Sequence, residues 1–182
     1  MRILILNGNP GTENEDFDTY LSGLSQSLVR DRNEVEIIHL RDKKILSCSG
    51  CWNCWVKNPG LCSIPDDTDG IRNKYINSEM VVFASPLVMG FVSSIMKKTM
   101  DRLIPLLHPY ITLVGNECHH RKRYEKYPLI GLIYQDMDKE EEYVKITTDL
   151  FRRFALNFKT DLAFSFSIKK QVVEVINEID SY

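Results

Sequence analysis

Short apolar runs alternate with amphipathic segments along most of the chain. Five runs have the length and composition of β-strands, and "MVVFASP" and "YPLIGLIYQ" are almost continuously apolar. Continuous apolar runs are typical of parallel strands that are covered on both faces of the sheet. The predicted strands are residues 2–7, 34–40, 80–86, 127–135 and 160–168.

The segments between these runs carry apolar residues at helical spacing. In residues 16–30, such residues recur every three or four positions, which predicts an amphipathic helix. The remaining predicted helices are residues 66–78, 93–107, 138–158 and 171–182. Outside these elements, we expect Cys118, His119 and His120 to lie in a surface loop, with side chains pointing in diverging directions.

This alternation predicts an α/β fold with a doubly wound parallel sheet. Five strands in 182 residues favour a flavodoxin-like three-layer sandwich, with strand order 2-1-3-4-5, over a six-stranded dinucleotide-binding fold. No repeat or linker divides the sequence, so we expect residues 1–182 to form a single domain. The connection at residues 41–66 is much longer than is usual between a strand and a helix.

Charge and hydropathy narrow the class of partner. A net charge of −2 gives no reason to expect nucleic acid or an anionic membrane as the target. The N-terminal apolar run is too short for a signal peptide, and no run is long enough to cross a bilayer, so we expect a cytoplasmic protein. Thiols stay reduced there, and clustered cysteines then indicate metal or redox chemistry rather than structural disulfides.

Four of the five cysteines lie in the stretch "CSGCWNCWVKNPGLC". Cys48, Cys51, Cys54 and Cys62 could surround a [4Fe-4S] cluster on an irregular loop, whereas structural zinc sites usually combine two separated pairs. Alternatively, the cysteines and the two tryptophans pack without metal, in a pocket wall or a subunit interface. A redox-active thiol pair is the third interpretation, although no adjacent base is evident.

Ligands of open parallel sheets bind beyond the carboxyl ends of the strands, where the strand order reverses. Three predicted loops meet there, at residues 7–14, 85–94 and 134–139. The first precedes a helix N-terminus, whose amide groups and dipole favour a phosphate. It has neither a Walker nor a GxGxxG pattern, so its glycines alone do not identify the ligand.

Four stretches occur in the order "ILILNGNP", the cysteine loop running into "DD", "FASPLVMGFVSSIMKKTMDR" and "RYEKYPLIGLI". Together they resemble the NAD(P)H-dependent FMN reductase and iron-sulfur flavoprotein group of the flavodoxin-like superfamily, over about the first 135 residues. The resemblance implies bound FMN, NADH or NADPH as donor, an acceptor that the sequence does not name, and a homodimer or homotetramer. It implies no catalytic side chain, because the flavin carries the electrons. The residues that match the cofactor loops of this group are Asn9, Pro10, Gly11, Thr12, Ser85, Pro86, Leu87, Val88 and Gly90.

Some residues depart from the pattern of that group. Asn9 stands where serine is usual, Val88 replaces an aromatic residue, and four acidic residues lie near the expected phosphate. Related reductases also carry a similar cysteine loop without a cluster. We favour an FMN-dependent NAD(P)H oxidoreductase of the flavin- or quinone-reductase type. An electron carrier with FMN and [4Fe-4S], or a flavodoxin-fold binding protein that has lost its cofactor, remains open.

Overall fold

The computed structural model describes residues 1–136 and 141–182. The strands are β1 (Arg2–Asn7), β2 (Glu34–His39), β3 (Met80–Val88), β4 (Phe91–Val92), β5 (Leu107–Val114), β6 (Glu117–Lys122), β7 (Leu129–Asp136) and β8 (Leu162–Ser167). The α-helices are α1 (Glu15–Arg30), α2 (Asn53–Val56), α3 (Thr68–Asn77), α4 (Ser94–Asp101), α5 (Glu141–Asn157) and α6 (Val172–Ile179). Short 3-10 turns cover Leu40–Asp42 and Ile104–Leu106.

The central sheet has the order β2-β1-β3-β7-β8, and each neighbouring pair is parallel. These are the five predicted strands in chain order, so the predicted order 2-1-3-4-5 and the α/β class are confirmed. The strand order reverses between β1 and β3, which are neighbours in the sheet. The loops that follow these two strands therefore lie where a ligand is expected.

Alternate side chains of β1 enter two different cores. Ile3 and Ile5 pack with the apolar faces of α1 and α6, whereas Leu4 and Leu6 pack with α3, α4 and α5 on the opposite face. The inner strands β1, β3 and β7 therefore bury both faces, which explains their continuous apolar runs. Helices on both sides of the sheet make the three layers.

The sequence pattern missed a second, two-stranded sheet. Strands β5 and β6 form an antiparallel hairpin, and Cys118, His119 and His120 lie in β6 rather than in a surface loop. The helix predicted at 93–107 was also too long, since α4 ends at Asp101. Pro105 lies in the following 3-10 turn, and its lack of an amide hydrogen prevents a continuous helix.

Helix α5 runs to Asn157, close to the predicted end. The predicted beginning of this helix, at residue 138, lies outside the described residues. Among the helices that the structure describes, none has the length and hydropathy required to cross a membrane.

Gly131 allows β7 and β8 to pack closely. A β-carbon at this position would lie 2.4 Å from Cζ of Phe164, its neighbour across the β7–β8 ladder. We expect Gly131→Ala to lower the free energy of unfolding by about 1–3 kcal/mol, because the buried Phe164 ring would have to move. Urea denaturation measures this. Gly70→Ala in α3 is the matched control, since nothing lies within 4 Å of its added carbon; an equal loss in both variants would contradict the explanation.

Candidate functional site

Asn7, the last residue of β1, organises the loop that follows it. Its side-chain oxygen accepts a hydrogen bond from the backbone N–H of Asn9 at 2.9 Å, and its amide nitrogen donates to Asp18 at 2.6 Å. The same nitrogen lies 3.2 Å from Nδ1 of His39 at the end of β2. The buried Asn7 side chain therefore connects β1, β2 and the first turn of α1.

A second set of hydrogen bonds joins this loop to the end of β3. The Gly8 amide donates to the Ala84 carbonyl at 2.7 Å, and the Ser93 hydroxyl donates to the Gly8 carbonyl at 2.5 Å. Ser93 also caps α4, since its hydroxyl accepts from the Met96 amide. An added β-carbon on Gly8 would lie 2.9–3.1 Å from the Met96 side chain and the Ala84 carbonyl, so a larger residue would require them to shift.

The N-terminus of α1 has no side-chain cap. Asn14 is at the N-cap position, but its side-chain amide donates to Gln135 near the end of β7. The Asn14 side chain accepts no hydrogen bond from the first-turn amides of α1, although helix N-termini are commonly capped in this way. The loops after β1 and β3 and the end of β7 thus converge. The third predicted loop, 134–139, lies partly outside the described residues.

Arg41, from the 3-10 turn after β2, brings a positive charge to this loop. Its guanidinium forms an ion pair with Asp18 at 2.9 Å and lies 3.4 Å from the Gly11 carbonyl. Partial burial raises the pKa of Asp18, but hydrogen bonds from Arg41 and two asparagines outweigh this effect. The pKa of the Asp18 carboxyl therefore lies below its ordinary value, and the charge of Arg41 balances that of the carboxylate.

The residues of the predicted phosphate loop differ in exposure. Asn9 is buried, Pro10 and Thr12 are exposed, and Gly11 is half-buried. The exposed Glu13 carboxylate lies against the face of Gly11, where a β-carbon would be only 2.0 Å from Oε2. This carboxylate has to move before an anion can contact that face of the loop.

The second predicted cofactor segment lies in the β3–β4 hairpin. Ser85, Pro86 and Leu87 are buried in β3, and the Ser85 hydroxyl already accepts from the Ser93 amide and donates to the Pro86 carbonyl. Val88 is exposed at the end of the strand, next to the tip of the hairpin.

The tip is a two-residue turn in which Met89 and Gly90 both have positive φ, 50° and 77°. Such a turn matches the twist of two antiparallel strands. Gly90 lies so close to the Tyr143 ring that a β-carbon would be 2.9 Å from Cγ, and Thr147 donates to the Gly90 carbonyl. Helix α5 therefore supports the tip, and Met89 is 90% exposed there.

The cysteine loop is closed at its base by a buried ion pair. Arg102, the residue after α4, forms a two-pronged salt bridge with Asp66 at 2.8 and 3.1 Å. The same guanidinium donates to the carbonyls of Leu46 and Ile64, one on each side of the loop. Burial raises the pKa of Asp66, but hydrogen bonds from Thr68 and the Leu46 amide, and the charge of Arg102, bring it below its ordinary value.

The four cysteines of this loop differ in exposure. Cys48 and Cys51 are exposed, whereas Cys54 and Cys62 are half-buried. Hydrogen bonds from the Asn53 amide and from two nearby serines lower the pKa of the Cys51 thiol. Burial and the neighbouring cysteines raise the pKa of the Cys54 thiol.

Trp55 attaches the loop to the β5–β6 hairpin. Its indole N–H donates to the Leu107 carbonyl at 2.9 Å, and its ring packs against His120 at a centroid distance of 5.0 Å. Trp52 packs edge-on against Trp55 at 5.2 Å, remains 62% exposed, and has a positive φ of 62°. The two tryptophans therefore pack together, and Trp55 packs on the β5–β6 hairpin.

Three residues that position the site were not identified from the sequence. Asn7 could have been suspected, because a polar residue ends a buried apolar strand. Gln135 lies in the predicted loop 134–139 but was not singled out, and Arg41 gave no local signal, since it reaches the loop from a distant part of the sequence. Arg41 begins the segment that the sequence marked only as a long cysteine-containing connection.

Comparison with known proteins places the chain in a family. Residues 1–122 match the family of NADPH-dependent FMN reductases, and the chain belongs to it. An iron-sulfur flavoprotein of Archaeoglobus fulgidus is 33% identical over 102 residues, which are 56% of this chain and 48% of the relative. An iron-sulfur flavoprotein of Methanocaldococcus jannaschii is 33% identical over 106 residues, 58% of this chain and 53% of the relative. The chain spans about half the length of the curated relatives that it matches.

Solved structures support the fold. An azoreductase of Bacillus anthracis superposes with a TM-score of 0.65 at 11% identity, covering 100% of this chain and 93% of that one. An FMN-dependent NADH-azoreductase of the same species, solved in complex with FMN, superposes with a TM-score of 0.61 at 13% identity. The superposition covers 100% of this chain and 95% of that one. At these identities the similarity establishes the flavodoxin-like architecture.

Proposed function

We propose that the protein is an FMN-dependent NAD(P)H oxidoreductase of the flavin- or quinone-reductase type. One observation carries the proposal. The loop after β1, the β3–β4 hairpin and the end of β7 are joined by hydrogen bonds around a helix N-terminus without a side-chain cap, where the strand order reverses. Membership of the FMN reductase family supports the same function.

The residues around this loop fit a phosphate. The uncapped first turn of α1 offers amide groups and the positive end of the helix dipole. Arg41 neutralises Asp18, so that this carboxylate does not repel an anion as an isolated charge would. Backbone groups of residues 10–14 and the guanidinium of Arg41 would hold the phosphate of FMN.

The exposed hairpin tip fits the other end of the cofactor. Val88, Met89 and Gly90 would contact the flavin ring, and α5 would hold the tip in place through Tyr143 and Thr147. When bound, FMN would supply hydride and single-electron transfer. Buried Ser85, Pro86 and Leu87 would act by fixing the shape of the hairpin.

A second candidate function is an electron carrier with FMN and a [4Fe-4S] cluster, which the names of two relatives favour. Cys48, Cys51, Cys54 and Cys62 supply suitable thiol donors. Their arrangement does not fit, because no three cysteine, histidine or acidic side chains converge on a metal position within residues 1–136 and 141–182.

Three further expectations belong to this proposal. We infer a single domain, a cytoplasmic location, and assembly as a homodimer or homotetramer. NADH or NADPH would be the donor. The exposed apolar side chains of Trp52, Val56 and Leu61 on the cysteine loop support an interface at that surface.

A titration with FMN tests the proposed function. We expect the purified chain to quench FMN fluorescence to saturation and then to oxidise NADPH or NADH. Thr12→Asp adds a negative charge to the phosphate loop and should weaken FMN binding at least tenfold. Ser22→Asp adds the same charge to an exposed position farther along α1 and should leave binding unchanged. A protein that cannot be reconstituted with FMN would support the cofactor-free binding protein instead.

A further inference from the structure

The side-chain amide of Asn7 has only one orientation that suits its neighbours. Its oxygen accepts a hydrogen bond from the Asn9 backbone N–H at 2.9 Å, and its nitrogen donates to the Asp18 carboxylate at 2.6 Å. A backbone N–H can only donate and an ionised carboxylate can only accept, so these two contacts identify the oxygen and the nitrogen of the amide. Turning the amide over would break both contacts at a buried position.

This orientation determines where the His39 ring carries its proton. The Asn7 nitrogen has two hydrogens: one is donated to Asp18, and the other faces Nδ1 of His39 at 3.2 Å. Because that nitrogen can only donate, Nδ1 has to be the unprotonated acceptor. The contact therefore requires a neutral His39 ring with its proton on Nε2.

Protonation of Nδ1 would act on the phosphate loop through Asn7. Two N–H donors would then face each other, and either the ring or the amide would have to move. If the amide moves, the Asn9 N–H and the Asp18 carboxylate lose their hydrogen bonds to it. If the ring moves, the Asn7 amide loses the acceptor of its second hydrogen. In both cases the buried Asn7 holds the beginning of the loop less firmly.

The charges around His39 do not hinder the uptake of a proton. The ring is half-buried and lines an open cavity of about 320 Å³ between the end of β2 and α3. The charged side chains that line this cavity, or reach the Asn7 amide from α1, are Glu36, Asp42, Lys43, Asp67, Lys74 and Asp18. Lys74 pairs with Glu36, and Arg41 pairs with Asp18. Outside these two pairs, two aspartates accompany one lysine, and negative charge favours a protonated ring.

We propose that His39 is a positioning residue for the phosphate loop, which binds the phosphate of FMN tightly only while the His39 ring is neutral. This inference rests on the proposed function. Imidazole side chains ordinarily take up a proton at about pH 6.5, so FMN affinity should fall as the pH decreases through this range. Protonation also adds a positive charge, which has the opposite effect on an anion. Salt screens the charge of a half-exposed ring but does not replace the lost hydrogen bond, so we expect the loss to dominate at about 0.15 M salt.

FMN titrations at about pH 8 and about pH 5.5 test the proposal, with His39→Asn as the comparison. The asparagine oxygen offers an acceptor near the position of Nδ1 and takes up no proton. The phosphate of FMN itself takes up a proton at about pH 6, but this occurs equally with both proteins. At the higher pH the two proteins should bind FMN similarly. At the lower pH the original chain should bind about five- to tenfold more weakly than His39→Asn, because an imidazole one pH unit below its pKa is about 90% protonated.

His108→Asn is the matched control. His108 lies in β5, outside the central sheet, so this variant should keep the pH profile of the original chain. NMR of the imidazole nitrogens provides a test that needs neither a substitution nor FMN. At about pH 8 it should show His39 with an unprotonated Nδ1 and a proton on Nε2.

The possible outcomes separate this inference from the proposed function. Parallel pH profiles for the original chain and His39→Asn would overturn the role of His39 and leave FMN binding intact. The same holds if the original chain binds FMN more tightly at the lower pH, relative to His39→Asn, or if NMR places the proton on Nδ1. If no variant binds FMN at either pH, the proposed function fails, and the inference fails with it.

Discussion

Replacing Arg102 with alanine should lower the free energy of unfolding by about 3–5 kcal/mol. The Arg102–Asp66 pair is almost completely buried, with side chains 1% and 0% exposed. Removing the guanidinium leaves the Asp66 carboxylate buried without its charged partner. The backbone carbonyls of Leu46 and Ile64 also lose the hydrogen bonds that Arg102 donates to them. The base of the cysteine loop should therefore open, and urea denaturation measures the loss.

Lys97→Ala is the matched control for Arg102. Lys97 lies in α4, the helix that ends just before Arg102, and pairs with Asp101, but both side chains are 48% exposed. Exposed pairs contribute about 0–1 kcal/mol, so the control should unfold almost as the original chain does. If Arg102→Ala lowers the free energy of unfolding no more than Lys97→Ala does, the buried Arg102–Asp66 pair does not stabilise the base of the cysteine loop.

The second large effect concerns FMN and depends on the proposed function. Arg41→Ala should weaken FMN binding about 10- to 100-fold, equivalent to about 1.4–2.7 kcal/mol. The variant loses a guanidinium from the phosphate loop and leaves the Asp18 carboxylate without its ionic partner. Fluorescence titration with FMN measures the change.

Two further variants separate charge from folding in this prediction. Arg30→Ala removes an arginine from the opposite end of α1 and should leave FMN affinity unchanged. Combining Arg41→Ala with Asp18→Asn removes the unbalanced negative charge and should restore part of the affinity. If the double variant binds FMN no better than Arg41→Ala alone, repulsion by Asp18 is not the cause.

The sequence predicted the five strands of the central sheet and their order, because the apolar pattern locates buried strands and few strand orders are compatible with alternating strands and helices. Inner strands buried on both faces give continuous apolar runs, and right-handed crossovers between parallel strands then restrict the order of five strands. The β5–β6 hairpin gave no such signal. Its residues include His108, Pro109 and Tyr110 in one strand and charged residues in the other, so that neither strand alternates regularly.

The site was only partly predictable for a different reason. Asn9, Gly11 and Val88 lie on strand-end loops, which the alternation of elements locates directly. Arg41 and Gln135 act through tertiary contacts that no local pattern specifies. The Arg102–Asp66 pair also joins distant segments, and the sequence showed only an aspartate pair after an overlong loop.

In the cysteine loop, too, the spacing of residues in the sequence did not determine their contacts in the structure. Its spacing allowed an iron-sulfur cluster, a metal-free apolar loop or a redox pair. In the structure, the Arg102–Asp66 ion pair closes the base of the loop, and the Trp55 side chain packs on the β5–β6 hairpin. Neither contact requires metal. The role of the four thiols remains part of the second candidate function.

Anaerobic reduction of bound flavin tests the central claim most directly. The FMN-reconstituted protein would be mixed with NADPH or NADH, and the visible absorbance of oxidised flavin followed over time. We expect at least one donor to bleach the bound flavin, and a quinone added afterwards to restore its absorbance. Bound FMN that stays oxidised with both donors, but is bleached by dithionite, would contradict the assignment as an NAD(P)H oxidoreductase.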